Sequence, residues 1–86
     1  MHQTVCNYGN KGLPMTYQQV DTGNGMEYNG TVDWDQVVQY VFRVNSNETV
    51  TSDYFSLNIP VALRNAILRA INEHDAVDNK ISYPQF

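Results

Sequence analysis

The stretch DWDQVVQYVFRVN, residues 33 to 45, decides the fold, because its pattern reads two ways. Read as a helix, Asp33 is the N-cap and Gln36 follows three residues later, which is the spacing of a capping box. Asp35 then falls in the first turn, where the helix dipole favours an acid. Trp34, Val37, Val38, Val41 and Asn45 share one face, and Gln36, Gln39, Tyr40 and Arg43 lie opposite. Read as a strand, the same segment is rich in Val, Tyr and Phe, and Val38, Tyr40, Phe42 and Val44 alternate with their neighbours. The start signal and the polar face agree, so the expectation is a helix over 33–45. A strand would instead pair with 49–57 across the turn Asn45-Ser46-Asn47-Glu48.

Downstream, TVTSDYFSL at 49–57 reads as an extended segment. Residues 59 to 74 carry a clearer pattern. Leu63, Ala66, Ile67, Ala70, Ile71 and His74 recur at helical spacing, with Asn58 as a cap and Pro60 in the first turn. Upstream, MTYQQV at 15–20 is strand-like, and Asp21-Thr22-Gly23-Asn24-Gly25 supplies residues that accept positive φ. Asn29-Gly30, between two β-prone segments, reads as a hairpin turn. Residues 1–14 read as a short edge strand around Val5, Cys6 and Tyr8 and then a loop. The tail from Asp75 reads as loop with an extended end at Ile81 to Tyr83. The fold expected is α+β within 1–86 as a single domain. It has a small antiparallel sheet packed against one long amphipathic helix (59–74) and a second helix (33–45).

Composition narrows the function. With 86 residues the core is thin. Only 16% of residues are charged, so Asn, Gln, Ser and Thr must build much of the surface. The net charge of −4, and five cations that form no run, argue against a phosphate-binding surface and against direct nucleic-acid binding. The acids are dispersed too, so a nucleic-acid mimic is present only in weak form. One cysteine excludes an internal disulfide. MHQTVCNYGN has neither the basic start nor the apolar core of a signal peptide, and no apolar run is long enough for a bilayer. The expectation is therefore a cytoplasmic protein with no membrane partner.

Candidate chemistry is sparse. Cys6 and His74 are the scarce reactive pair, but Cys6 has no basic neighbour to activate it and reads as a small buried hydrophobe. His74 reads as a helix-terminal histidine. Neither His2 with Cys6 nor His74 with Asp75 and Asp78 has the spacing of a zinc or calcium site. Asp33 and Asp35 flank Trp34, yet capping, dipole and packing account for all three. The glycines lack the lysine and helix of a phosphate loop. No enzyme, cofactor or metal is expected.

The informative feature is distributed. Tyr8, Tyr17, Tyr28, Tyr40, Tyr54 and Tyr83 stand among amides, serines and glycines. A thin core would leave several of these rings outside. Tyrosine with small polar residues and little lysine is the composition of recognition surfaces. The expected binding residues are the sheet tyrosines Tyr17 and Tyr28, with Tyr40, Arg43, Tyr54 and Arg69. The partner would be a larger protein or protein complex, and the chain an inhibitor or adaptor. An acidic nucleic-acid mimic and a structural homo-oligomer, a homodimer among them, are the alternatives. In size, acidity and α+β plan the chain resembles small phage-encoded inhibitors of host defence such as anti-CRISPR proteins. That resemblance implies an inhibitor acting in a host cytoplasm, and it covers composition alone, so no functional positions carry over.

Overall fold

The computed structural model describes residues 1–23, 25–46 and 54–74. Five strands form one antiparallel sheet in chain order: β1 (His2–Tyr8), β2 (Lys11–Asp21), β3 (Met26–Asp33), β4 (Gln39–Asn45) and β5 (Tyr54–Phe55). One helix, α1 (Val61–His74), follows. The expected mixture of helix and sheet is present, and α1 has 14 residues rather than the 16 read from 59–74. Of the extended segment expected at 49–57 the structure describes 54–57, where Tyr54–Phe55 form β5; residues 47–53, with half of the expected turn, and the tail at 75–86 lie outside the described residues.

The helix expected over 33–45 is a correction. Residues 39 to 45 are a strand, paired along its whole length with β3 and, at Phe42 and Arg43, with β5. Tyr40, Phe42 and Val44 all point to the core side, so the period-two pattern wins over the helical one. The apparent capping signal has a different use. The Asp35 carboxylate accepts the N–H groups of Val37 and Val38, both at 2.7 Å, while the Trp34 and Asp35 N–H groups donate to the Val38 carbonyl. Asp35 thus closes a tight loop between two strands, a side-chain turn that competes with helix initiation. Asp33 is no cap either; it accepts a hydrogen bond from the Gln39 amide at 2.7 Å.

A second correction concerns Asn29-Gly30, which lies inside β3 and not in a turn. Gly30 faces Tyr17 across one ladder and Phe42 across the other. A Cβ there would fall 2.0 Å from the Thr16 carbonyl oxygen and 2.5 Å from the Tyr17 Cα, so close approach of β2 demands glycine. The turn expected at 21–25 does join β2 to β3: Gly23 and Gly25 have positive φ, the Thr22 N–H donates to the Gly25 carbonyl, and the Asp21 carboxylate accepts the Gly23 N–H. The β1–β2 turn needs only Gly9 and Asn10, with Gly9 at φ 60°. β2 consequently begins at Lys11, inside the expected loop. Pro14 fits within β2 because pairing to β3 starts at Met15, so its missing N–H costs no bond to that strand.

The core face of the sheet carries Cys6, Leu13, Met15, Tyr17, Tyr28, Val32, Phe42 and Val44. Leu63, Ala66, Ile67, Leu68, Ala70 and Ile71 of α1 close over it in one apolar cluster. Burying each large side chain here contributes roughly 1.5–3 kcal/mol. The helix lies along β1, with small Ala66 and Ala70 among its buried residues. It runs antiparallel to β1. Its start shares a crevice with Tyr8 and Gly9, and its last residue touches His2 and Tyr17. Arg64 reaches toward β5, at the sheet edge opposite β1, and lies over the Phe55 ring on the helix-covered face, 5.3 Å from its centroid.

Candidate functional site

Pleating sends alternate residues to the face that α1 does not cover. Register aligns Gln18, Asn29, Arg43 and Tyr54 in one row across β2 to β5, with Thr16, Thr31 and Val41 in the next. Around this row is a shallow groove of about 660 Å³ whose lining includes Glu27, Asn29, Thr31, Val41, Arg43 and Tyr54. Tyr54 is 50% exposed and is the direct cross-strand neighbour of Arg43. The Asn29 amide donates to the Glu27 carboxylate at 3.1 Å and holds it along the strand. Ser56 anchors the end of β5: its hydroxyl accepts the Val41 N–H at 2.6 Å, and its own N–H donates to the Val41 carbonyl.

The six residues expected on a binding surface are therefore divided. Arg43 and Tyr54 come together in the groove. Tyr17 and Tyr28 do not join them: both are buried, and their rings meet edge to face, 6.1 Å between centroids. An exposed surface containing this pair is corrected by parity, since their positions on β2 and β3 point to the helix side. The premise that the core is too thin for such rings fails at these two positions. Tyr40 is half-buried against Trp34 at 6.0 Å. Arg69 is exposed on α1, beside β1 and away from the groove.

A second arrangement lies at the end of the sheet where β1 turns into β2. Trp34 packs edge-on to Tyr8 at 5.4 Å and to Tyr40, and the Lys11 ammonium lies 5.0 Å from its ring centroid. The loop closed by Asp35 grows from this aromatic base. Val37 at its tip is 91% exposed. The Val37 and Val38 N–H groups, in that order, hold the Asp35 carboxyl below its ordinary pKa. Leu57, 85% exposed, lies in the connection into α1, and Val61, the first residue of α1, lines a crevice with Tyr8 and Gly9 at this end. Sequence reading missed this end, because Val37 and Val38 fit a buried helical face as well as they fit a loop.

The scarce reactive groups are absorbed by packing. Cys6 is buried, and burial pushes its thiol up to about 11, with Arg69 opposing the shift. Such a thiol is a poor source of thiolate at neutral pH. The Tyr17 hydroxyl and His74 Nδ1 are hydrogen-bonded at 2.6 Å, and the His2 ring stacks on Tyr17 at 5.2 Å. Among the described residues no three of His, Cys, Asp or Glu are grouped to hold a metal ion, and no helix is long and apolar enough to cross a membrane. The class that this fold defines is a small α+β protein, with a five-stranded meander and one helix among the described residues. Compared with models of known families, with curated proteins and with solved structures, the chain matches none.

Proposed function

We propose that this chain is a protein-binding module, an inhibitor or adaptor that engages a larger protein through the face of its sheet opposite α1. One observation carries the reading. Register places a half-exposed tyrosine, Tyr54, directly beside Arg43, and both line a groove with Thr31, Val41, Asn29 and Glu27. Tyrosine and arginine are the residues most enriched where binding energy concentrates. The amides supply hydrogen bonds that adapt to a partner. The groove mixes one cation with one carboxylate, which suits a polar protein surface better than a polyphosphate.

The test is affinity capture from a lysate of the cells that carry the gene, comparing the native chain with the double variant Arg43→Ala, Tyr54→Ala. The native chain should retain a defined protein that the variant loses, while both keep the same circular dichroism. Equal capture by the two, or nothing above background, would overturn the reading. Complexes that dissolve between about 50 and 200 mM salt would point instead to an acidic mimic of nucleic acid.

A further inference from the structure

The β3–β4 loop carries features that the sheet face does not explain. Its tip presents Val37 almost wholly to water, Val61 stands exposed at the same end of the molecule, and Leu57 is exposed in the connection into α1. A single exposed valine is unremarkable. Here, however, the valine is presented by a loop that is tied down. Four hydrogen bonds close it: the Val37 and Val38 N–H groups to the Asp35 carboxylate, and the Trp34 and Asp35 N–H groups to the Val38 carbonyl. Its base is Trp34, wedged against Tyr8 and Tyr40 under the Lys11 ammonium. Order of this kind removes the entropy cost that a floppy loop would meet on binding.

We propose that the 34–38 loop is a preformed finger that seats Val37 in an apolar pocket of the partner protein, with Leu57 and Val61 resting against the pocket rim. The inference rests on the protein-binding reading and adds a second contact to it. The chemistry of the occupant follows from the charges around the tip. Among the described residues, Asp33 and Asp35 are both exposed there, beside the ammonium of Lys11 over Trp34. A partner rim carrying lysine or arginine complements that balance. An anionic lipid surface does not, because it repels the two carboxylates. A rigid protruding aliphatic side chain also fits a concave protein site better than a flat one.

Two measurements decide it. In the free protein, the Val37 and Val38 amides should exchange with deuterium at least roughly tenfold more slowly than in Asp35→Ala, since opening the clamp must precede exchange. Exchange at the rate of an open chain in the native protein overturns the finger, whatever it binds. In the complex, a benzophenone amino acid in place of Val37 should cross-link to the partner that the native chain captures. Val37→Ser should weaken that capture about tenfold, the worth of burying one valine. If the native chain captures a partner that Arg43→Ala, Tyr54→Ala loses but Val37→Ser holds fully, the finger falls and the sheet face stands. If the native chain captures nothing, both fall. Sedimentation with vesicles of phosphatidylcholine and phosphatidylserine, abolished by Val37→Ser, would overturn the protein pocket in favour of lipid.

Discussion

Two neighbouring rows of the sheet, one residue apart along each strand, have opposite fates. The row His2, Tyr17, Gly30, Phe42 and Phe55 crosses all five strands on the helix side, and Tyr17 and Phe42 in it are fully buried. The row Gln18, Asn29, Arg43 and Tyr54 crosses four strands on the other side and faces the groove. Both rows hold a tyrosine. Tyr17 is a structural residue, whose hydroxyl is bound to His74 and whose ring touches His2 and Tyr28. Tyr54 is half exposed, beside Arg43. Residue type does not separate them; pleat parity does, because a shift of one residue exchanges the two faces.

Variants along the two rows would break or sharpen this contrast. The largest effect is expected from Gly30→Val, whose Cβ would meet the Thr16 carbonyl oxygen and the Cα and Cβ of Tyr17, none of them the movable end of a side chain. The variant should show no cooperative unfolding transition by circular dichroism, and a native-like melting curve would refute the close approach of β2. Phe42→Ala should follow, costing about 3–5 kcal/mol in urea unfolding for a large ring removed from the core. Tyr17→Phe keeps the ring and removes the hydroxyl, so it should cost about 0.5–1.5 kcal/mol. A larger loss would mean that the His74 contact organises more of the molecule than one hydrogen bond. On the outer row, Arg43→Ala and Tyr54→Ala should each stay within about 0.5 kcal/mol of native stability. If either melts the protein, that row is structural and the contrast fails.

The smallest expected effect is local and depends on pH. The Asp35 carboxyl is held below its ordinary pKa, so its ionised form is favoured in the folded loop. The contribution is therefore present above about pH 4, the ordinary aspartate value, and is lost as pH falls through the lower folded value. In an acid titration followed by NMR, the Val37 and Val38 amide shifts should hold steady through pH 4 and move only below it. Movement centred at or above pH 4 would show that the clamp is not formed in solution.

The helix and the groove differ in how far they could be read ahead. Leu63, Ala66, Ile67, Ala70 and Ile71 announce α1 because a helix displays its buried stripe within one continuous segment. The groove could be read only in pieces. Arg43 and Tyr54 are named by their chemistry, but their meeting depends on a register between β4 and β5 that nothing local specifies. The segment 33–45 misleads for a related reason. Asp35 gives a true hydrogen-bonding signal at its start, and a side chain that accepts two following N–H groups serves a strand-joining loop as well as a helix. Asn29-Gly30 misleads because glycine marks either a turn or a close approach, and only the neighbouring strand tells which.

By itself the sequence determined the mixed α+β class, the place of the C-terminal helix, the turn near Gly23 and Gly25, and the burial of Cys6. Each depends on periodicity, backbone freedom or hydrophobicity carried within a short run of chain. Only the tertiary structure decided that 39–45 is a strand, that Gly30 lies between two others, and which tyrosines face water. Those outcomes are set by pairing between strands distant in sequence. A strand satisfies its backbone through its neighbours, and so takes its face and register from them.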